Sequence, residues 1–152
     1  MMRPSDALAA GGVHLPEVVA PLAAYVPAIR VGNQVLTSGQ LPFRDGALIA
    51  TGKVGAEVSV EDATACARQC ALNGLAAIAS LIGDVDAIKR VVRVVVYVAS
   101  APDFTQQPGV GNGASEFIGE IFGDEGRHVR SAVGVAVLPL DAPVEVELVV
   151  EV

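Results

Sequence analysis

The amino-acid sequence predicts an α+β domain in which a single sheet carries two helices on one of its faces. Small and apolar residues recur at helical spacing through 59–82, a valine run occupies 90–98, and residues 144–152 alternate with a period of two. In order, the chain reads as strands, a helix, a strand, a second helix and two final strands, which suits one sheet with helices packed on it. A length of 152 residues fits one domain over 1–152.

The first elements are a short helix and a hairpin. A helix is expected at 5–10, with Ser5 as its N-cap and a Gly-Gly pair ending it. After a proline-containing connector, "IRVGNQVLTSGQLP" predicts a hairpin that turns at Gly32-Asn33. A looser loop follows, in which Asp45-Gly46 is a second turn signal.

The long helix at 59–82 is the clearest element. Ser59 is its predicted cap, Asp62 follows three residues later, and Gly83 ends it. The valine-rich strand at 90–98 is apolar enough to predict a central strand with both faces covered. A loop rich in proline and glycine is expected next, then a second helix at about 113–122.

Two strands, at 131–138 and 144–151, complete the chain. In the last strand, one predicted face holds Val144, Val146, Leu148, Val150 and Val152. The other face holds Glu145, Glu147, Val149 and Glu151.

The helices can cover only one face of this sheet, so the other face needs an explanation. It would carry Val133, Val135, Val137 and Val149 beside the three glutamates of the last strand. Such a face is too apolar for water and too charged for a dry core. The sequence therefore predicts a symmetric oligomer in which these faces pack around a shared interior.

Composition narrows the function classes. The net charge of −7 and an aromatic content of 4% disfavour a nucleic-acid partner. The N-terminal residues lack the continuous apolar segment of a signal peptide, and no apolar run reaches the ~20 residues of a membrane span. We therefore expect a cytoplasmic protein with no membrane contact. Cys66 and Cys70 lie one helical turn apart and are expected to fill the core, and with only two histidines no metal site is expected.

Arg130 is the residue that raises the question of function. It stands at the mouth of an otherwise apolar strand in "GRHVRSAVGVAVLP". An arginine there is either a solvated strand end or a group that binds an anion. The residues alone leave both readings open.

Two sequence blocks resemble the reactive intermediate deaminase (Rid, YjgF-like) family. They are "AYVPAIRVGNQVLTSGQLP", with its Ser-Gly-Gln motif, and "VRSAVGVAVLPLDAPVEVELV", with Arg-Ser, Leu-Pro and alternating glutamates. The similarity extends over about 22–152, and residues 1–21 form an N-terminal extension that marks a subgroup. The resemblance implies a chorismate-mutase-like mixed sheet, a homotrimer with a central barrel, and ligand clefts between subunits.

The resemblance also implies an activity and its residues. Family members of the deaminase type hydrolyse 2-imino acids, or their enamine tautomers, to 2-keto acids and ammonia, without metal or cofactor. By motif, Arg130 would bind the substrate carboxylate and Glu145 would hold the water. The other cleft residues carried over by motif are Tyr25, Ser38, Gly39, Asn112 and Ala132, whose carbonyl can position water.

This sequence departs from the family pattern at three places. Ala132 stands where cysteine is common, His128 stands where proline or alanine is usual, and Asn112 lies one residue farther from the arginine. His128 is expected to be a polar loop residue. Glu145 could be a solvated glutamate on an alternating strand, and Ser38 has no His–Asp pattern that would make it a nucleophile.

Two alternative functions stay open. The same cleft could hold a small carboxylate without turnover, as a sensor or carrier. Ribonuclease activity, which is sometimes attached to this family, is disfavoured by the acidic charge and the few aromatic side chains.

Overall fold

A computed structural model describes residues 2–152, and its sheet and helices follow the predicted order. The elements are α1 (Pro4–Ala10), β1 (Ala28–Val31), β2 (Gln34–Thr37), β3 (Phe43–Arg44), β4 (Ala47–Leu48), α2 (Val60–Ile82), β5 (Arg90–Ala99), α3 (Gln107–Phe122), β6 (Val129–Val135) and β7 (Val144–Glu151). Short 3-10 turns lie at Val85–Ala87, Gly123–Gly126 and Pro139–Asp141.

The sheet is mixed and has the strand order β1-β2-β7-β5-β6. Its strands pair antiparallel except for β5 and β6, which are parallel because α3 carries the chain back between them. Helix α2 packs against β7, and α3 packs against β5, β6 and α2. The predicted α+β architecture, with both main helices on one face of a mixed sheet, is confirmed.

Alternation in β7 separates the two faces as predicted. Val144, Val146, Leu148 and Val150 are buried beneath the helices, whereas the intervening residues are half-buried on the face without helices. We call this second surface the open face. Leu36 and Val133 lie on it through the strand register, next to Val149 and Tyr97.

Helix α2 begins and ends where the sequence predicts. The Ser59 hydroxyl accepts a hydrogen bond from the Asp62 backbone N–H at 3.1 Å. Cys66 and Cys70 are buried in the core, and burial raises the pKa of the Cys66 thiol to about 11. By length and composition α2 could cross a membrane, but 61% of its apolar window is buried inside the domain, as in the core helix of a soluble protein.

Helix α3 differs most from the sequence prediction. It begins at Gln107, so the segment expected to be a loop up to residue 113 contains two helical turns. Pro108 occupies the first turn, where its missing N–H costs nothing. The glycines that suggested a loop are helical here because α3 packs tightly: a Cβ atom on Gly113 would collide with the Thr64 backbone carbonyl of α2.

Two smaller predictions are also corrected. The cap of α1 is Arg3, not Ser5; the Ser5 backbone N–H and hydroxyl donate to Asp86 at 2.8 and 2.5 Å. Strand β6 is Val129–Val135, two residues earlier at its start than expected, and ends before Val137. Strand β5 is interior in the sheet, as predicted; the helices of this chain cover one of its faces, and Arg93 is exposed on the open face.

Candidate functional site

The Arg130 guanidinium is held by helix α3. Nη1 donates to the Asn112 side-chain oxygen at 2.9 Å and to the Ser115 hydroxyl at 3.1 Å. Nη2 donates to the Pro108 carbonyl at 3.3 Å. Strand β6 places the arginine on the side of the sheet that faces α3, and the residue is half-buried. Arg130 is therefore not a freely solvated strand end.

Helical spacing explains how α3 supplies three acceptors. Pro108, Asn112 and Ser115 are separated by four and three residues, so they lie on one side of the helix. Gly111 lies on the same side, where a Cβ atom would come within 3.1 Å of Arg130 Nη1. A glycine at this position lets the guanidinium rest against the helix backbone.

All three acceptors are uncharged, so the positive charge of Arg130 is not neutralised. Among residues 2–152, no carboxylate lies within 4.0 Å of this guanidinium. A guanidinium carries five N–H groups. Three are used by α3. The remaining two are what bidentate binding of a carboxylate requires.

Glu145 belongs to a second group, at the end of β2 and the start of β7. A Cβ atom on Gly39 would collide with the Glu145 carboxyl group, so the side chain lies directly over the glycine backbone. Burial and, to a lesser degree, the neighbouring Glu147 raise the pKa of Glu145. A raised pKa brings a carboxyl group closer to the range in which it can exchange protons near neutral pH.

Tyr25 and Ser38 lie near Gly39. The Ser38 hydroxyl donates to the Val26 carbonyl at 2.6 Å, and the Tyr25 hydroxyl accepts from the Leu22 backbone N–H at 3.2 Å. Tyr25 is 46% exposed. Together with Gly39 it lines a cavity of about 20 Å³, which has room for little more than a water molecule.

The two groups are separate within one chain. Arg130 pairs with Val94 of β5, whereas Glu145 pairs with Tyr97, which is three residues farther along the same strand. Three residues of extended strand span roughly 10 Å. Arg130 is also on the helix side of the sheet and Glu145 on the open face. The predicted residues thus form two clusters, Arg130–Asn112 and Tyr25–Ser38–Gly39–Glu145.

The remaining predicted residue, Ala132, packs beneath α3. It is half-buried, and its methyl group lies 3.5 Å from the place of a Cβ on Gly111. Strand β6 is the edge of the sheet, so some of its backbone polar groups have no partner strand within the chain. Ser115 and Pro108 were not among the predicted site residues. The sequence predicted a loop up to residue 113, so it gave no indication that these two residues share one side of a helix.

Comparison with known proteins agrees with this fold. A family model described as "YjgF/chorismate_mutase-like, putative endoribonuclease" matches residues 5–152. Protein TCP17 of Trypanosoma cruzi is 47% identical over 141 residues, which is 92% of this chain and 88% of that protein. A RutC family protein of Haemophilus influenzae is 34% identical over 141 residues, which is 90% of this chain and 93% of that protein. The chain belongs to the YjgF/chorismate-mutase-like family.

Solved structures give the same result. A crystal structure from Shewanella oneidensis superposes with a TM-score of 0.96 at 35% identity, covering 99% of this chain and 100% of that one. The structure of Escherichia coli TdcF with bound serine has a TM-score of 0.60 at 26% identity, and the match covers 90% of this chain and 92% of that one. The chorismate-mutase-like fold predicted from the sequence is confirmed.

Proposed function

We propose that this protein hydrolyses small 2-imino acids, or their 2-enamine tautomers, to 2-keto acids and ammonia in a cleft between subunits of a cytoplasmic homotrimer. Arg130 binds the substrate carboxylate and Glu145 holds the attacking water. Asn112 supports the arginine, while Tyr25, Ser38, Gly39 and the Ala132 carbonyl line the cleft. The reaction needs no metal or cofactor.

One observation carries this proposal: Arg130 is positioned by neutral acceptors and keeps two N–H groups and a full positive charge for a ligand. An arginine whose role was only structural would be expected to have a carboxylate partner or to be solvated. A planar guanidinium fixed against a helix matches a carboxylate better than a lysine could.

The separation of the two clusters supports a cleft between subunits. Arg130 lies at the edge strand β6, and Glu145 lies on the open face of β7. In a symmetric assembly, the edge of one subunit can meet the open face of the next, so that Arg130 of one chain faces the Glu145 cluster of another. Three identical clefts would then form in a trimer.

The proposed reaction is addition of water to the C=N bond followed by loss of ammonia. The oxygen of water bonds to the C=N carbon, the π electrons move to nitrogen, and Glu145 takes the proton that water gives up. Glu145 returns this proton to nitrogen, which gives a carbinolamine. The remaining hydroxyl proton then passes to nitrogen in the same way, the electrons of the O–H bond form C=O, and the C–N electron pair leaves with nitrogen, so ammonia and a 2-keto acid are released. An imine carbon is already electrophilic, so orientation of carboxylate and water can supply much of the barrier reduction.

The direct test follows imine decay when an amino-acid oxidase generates the imine in the presence of this protein. We expect faster hydrolysis than in buffer, and Arg130→Ala should raise KM roughly 10- to 100-fold because charge-assisted hydrogen bonds are lost. Arg127→Ala is the matched control, since Arg127 is highly exposed and pairs only with Asp124 at 3.7 Å. Unchanged kinetics in Arg130→Ala would contradict the assignment of the carboxylate site.

A second candidate is binding of a small carboxylate without turnover. The TdcF structure with bound serine favours it, because serine is a small carboxylate held by a protein of the same fold. Saturable binding of pyruvate together with no acceleration of imine hydrolysis would select this function. The ribonuclease activity named in the family description is disfavoured by the net charge of −7, which repels a phosphate backbone.

A further inference from the structure

The Ser115 hydroxyl that accepts from Arg130 is itself bound to a histidine. Ser115 Oγ lies 2.8 Å from His128 Nε2. The other ring nitrogen, Nδ1, lies 2.6 Å from the Gly126 carbonyl oxygen. Arg130, Ser115, His128 and Gly126 thus form one continuous hydrogen-bonded chain, and Ser115 and His128 are both half-buried.

The Gly126 carbonyl fixes the direction of one hydrogen bond, and the direction of the other follows for a neutral ring. A carbonyl oxygen can only accept, so His128 Nδ1 carries the hydrogen that is donated to Gly126. In the neutral ring Nε2 is then an acceptor, and the Ser115 hydroxyl donates to it. This leaves the lone pairs of Ser115 Oγ for the guanidinium N–H. Successive bonds of this kind polarise and strengthen one another.

The hydrogen-bonded chain connects three structural elements that would otherwise position Arg130 independently. Ser115 belongs to α3, Gly126 ends the 3-10 turn Gly123–Gly126, and His128 directly precedes β6. A long arginine side chain loses considerable rotamer freedom when it is fixed. A neighbour that holds the Ser115 hydroxyl in one orientation lowers the freedom left to the guanidinium.

We propose that Ser115 and His128 are positioning residues, which hold the Arg130 guanidinium in the orientation that binds a ligand carboxylate. The proposal rests on the proposed role of Arg130 as the carboxylate-binding group. It also gives a role to His128, because the proline or alanine that the resemblance leads one to expect at this position would offer Ser115 no side-chain acceptor. The pair touches Arg130 and not the reacting atoms.

Paired substitutions separate positioning from folding. His128→Asn keeps a donor near Nδ1 for the Gly126 carbonyl but removes the acceptor for Ser115. His128→Gln places an amide oxygen near the position of Nε2 and can restore that acceptor. Ser115→Ala deletes the hydroxyl, and Ser115→Thr retains it. Circular dichroism and thermal unfolding of each variant report whether the fold is intact.

The first readout is pyruvate binding by isothermal titration calorimetry, with imine hydrolysis alongside. We expect Ser115→Ala and His128→Asn to weaken pyruvate binding about 3- to 10-fold, because each variant loses one hydrogen bond that orients the Arg130 guanidinium. KM should rise by a similar factor with kcat nearly unchanged, which is the pattern of lost ligand binding. Ser115→Thr and His128→Gln should stay close to wild type. Loss of folding alone would instead lower the apparent kcat and leave KM unchanged.

The second readout needs no ligand. In protein labelled with nitrogen-15 in arginine and histidine, NMR should show the hydrogen of His128 on Nδ1 and slow rotation of the Arg130 guanidinium. Rotation should accelerate in Ser115→Ala and His128→Asn but not in His128→Gln. A hydrogen on Nε2, or equal rotation in all variants, would overturn the proposal.

The two readouts also distinguish the two proposals. If Ser115→Ala and His128→Asn bind pyruvate as tightly as wild type while Arg130→Ala does not, the positioning role is wrong and the proposed function stands. If the wild-type protein neither binds pyruvate nor accelerates imine hydrolysis, the proposed function fails. In that case guanidinium rotation alone decides whether the pair positions Arg130.

Discussion

Glu145 and Arg130 carry opposite charges and have opposite kinds of surroundings. Arg130 is surrounded by neutral acceptors, which leave its charge available to a ligand. Glu145 is half-buried on the open face, where desolvation and then Glu147 raise the pKa of its carboxyl group. The first arrangement suits binding of an anion, and the second suits proton exchange with water.

Replacement of Glu147 by glutamine should lower the pKa of Glu145, because it removes a like charge. If Glu145 is the base, as proposed, the acid limb of kcat/KM against pH reports its ionisation in the free enzyme and should therefore move to lower pH. The pKa of Glu145 should nevertheless stay above that of an ordinary glutamate, because burial, the larger cause of its raised pKa, remains. The measurement is imine hydrolysis at a series of pH values.

Glu151→Gln is the control for this change. Glu151 lies on the same strand and face as Glu147, but it is four residues farther along the strand. The same loss of charge there should leave the acid limb in place. An equal shift in both variants would indicate a general effect of net charge, and no shift in Glu147→Gln would remove Glu145 from the role of base.

The crossing of α2 and α3 depends on Gly113, which leads to a prediction about stability. Gly113→Ala would push a methyl group into the Thr64 carbonyl, and overpacking of this kind costs about 1–3 kcal/mol of unfolding free energy. Gly119→Ala, in the same helix, meets nothing within 4 Å and should stabilise by up to about 1 kcal/mol through helix propensity. Urea unfolding followed by circular dichroism measures both.

These variants should shift the urea midpoint in opposite directions. If both stabilised the protein, the close approach of the two helices would be wrong. If both destabilised it, the glycines of α3 would have a common role other than packing against α2.

The same glycines show where sequence reasoning succeeds and where it does not. Helix α2, the first hairpin and β7 are predictable because their caps, turn residues and alternation are local signals. The start of α3 is not predictable in this way. Gly109, Gly111 and Gly113 have poor helix propensity, and the contacts that favour the helix come from Thr64 and Arg130, which are distant in sequence.

The candidate site follows the same division. Arg130, Asn112 and Glu145 could be named from motifs, and the structure brings the first two within 2.9 Å of each other. Ser115 could not be named, because its position beside Arg130 depends on where α3 begins. His128 was expected to be a polar loop residue, and only the three-dimensional structure reveals its contact with Ser115. The opposite faces of Glu145 and Arg130 follow from alternation along β6 and β7, whereas their separation along β5 depends on the strand register, which one sequence does not give.

At the scale of the whole molecule, the open face is the side of the sheet that no helix of the chain covers, and it exposes apolar residues. Ile29 and Val133 are 55% and 45% exposed on it, and Leu36 is 37% exposed. By strand register Val133 lies beside Tyr97, the partner of Glu145, and Leu36 lies beside Val149, so apolar and acidic residues share this face. A surface of this composition is better satisfied against another copy of itself than against water.

The proposed trimer makes catalysis depend on assembly. Val133→Glu adds a charge to the open face, and it should reduce the mass seen by analytical ultracentrifugation from three times 15.5 kDa to one protomer. Leu81→Glu is the matched control, because Leu81 is 47% exposed but lies on α2, away from the open face. It should leave the assembly and the imine hydrolysis rate unchanged.

The decisive measurement joins mass and activity in the same samples. Because Arg130 and Glu145 of one chain lie on opposite faces, a folded monomer would hold each half of the proposed site without the other. We therefore expect Val133→Glu to retain its circular dichroism spectrum and to lose imine hydrolysis as it loses assembly. A monomeric Val133→Glu protein with full activity would show that one chain is sufficient, and the cleft would then have to be sought within the protomer.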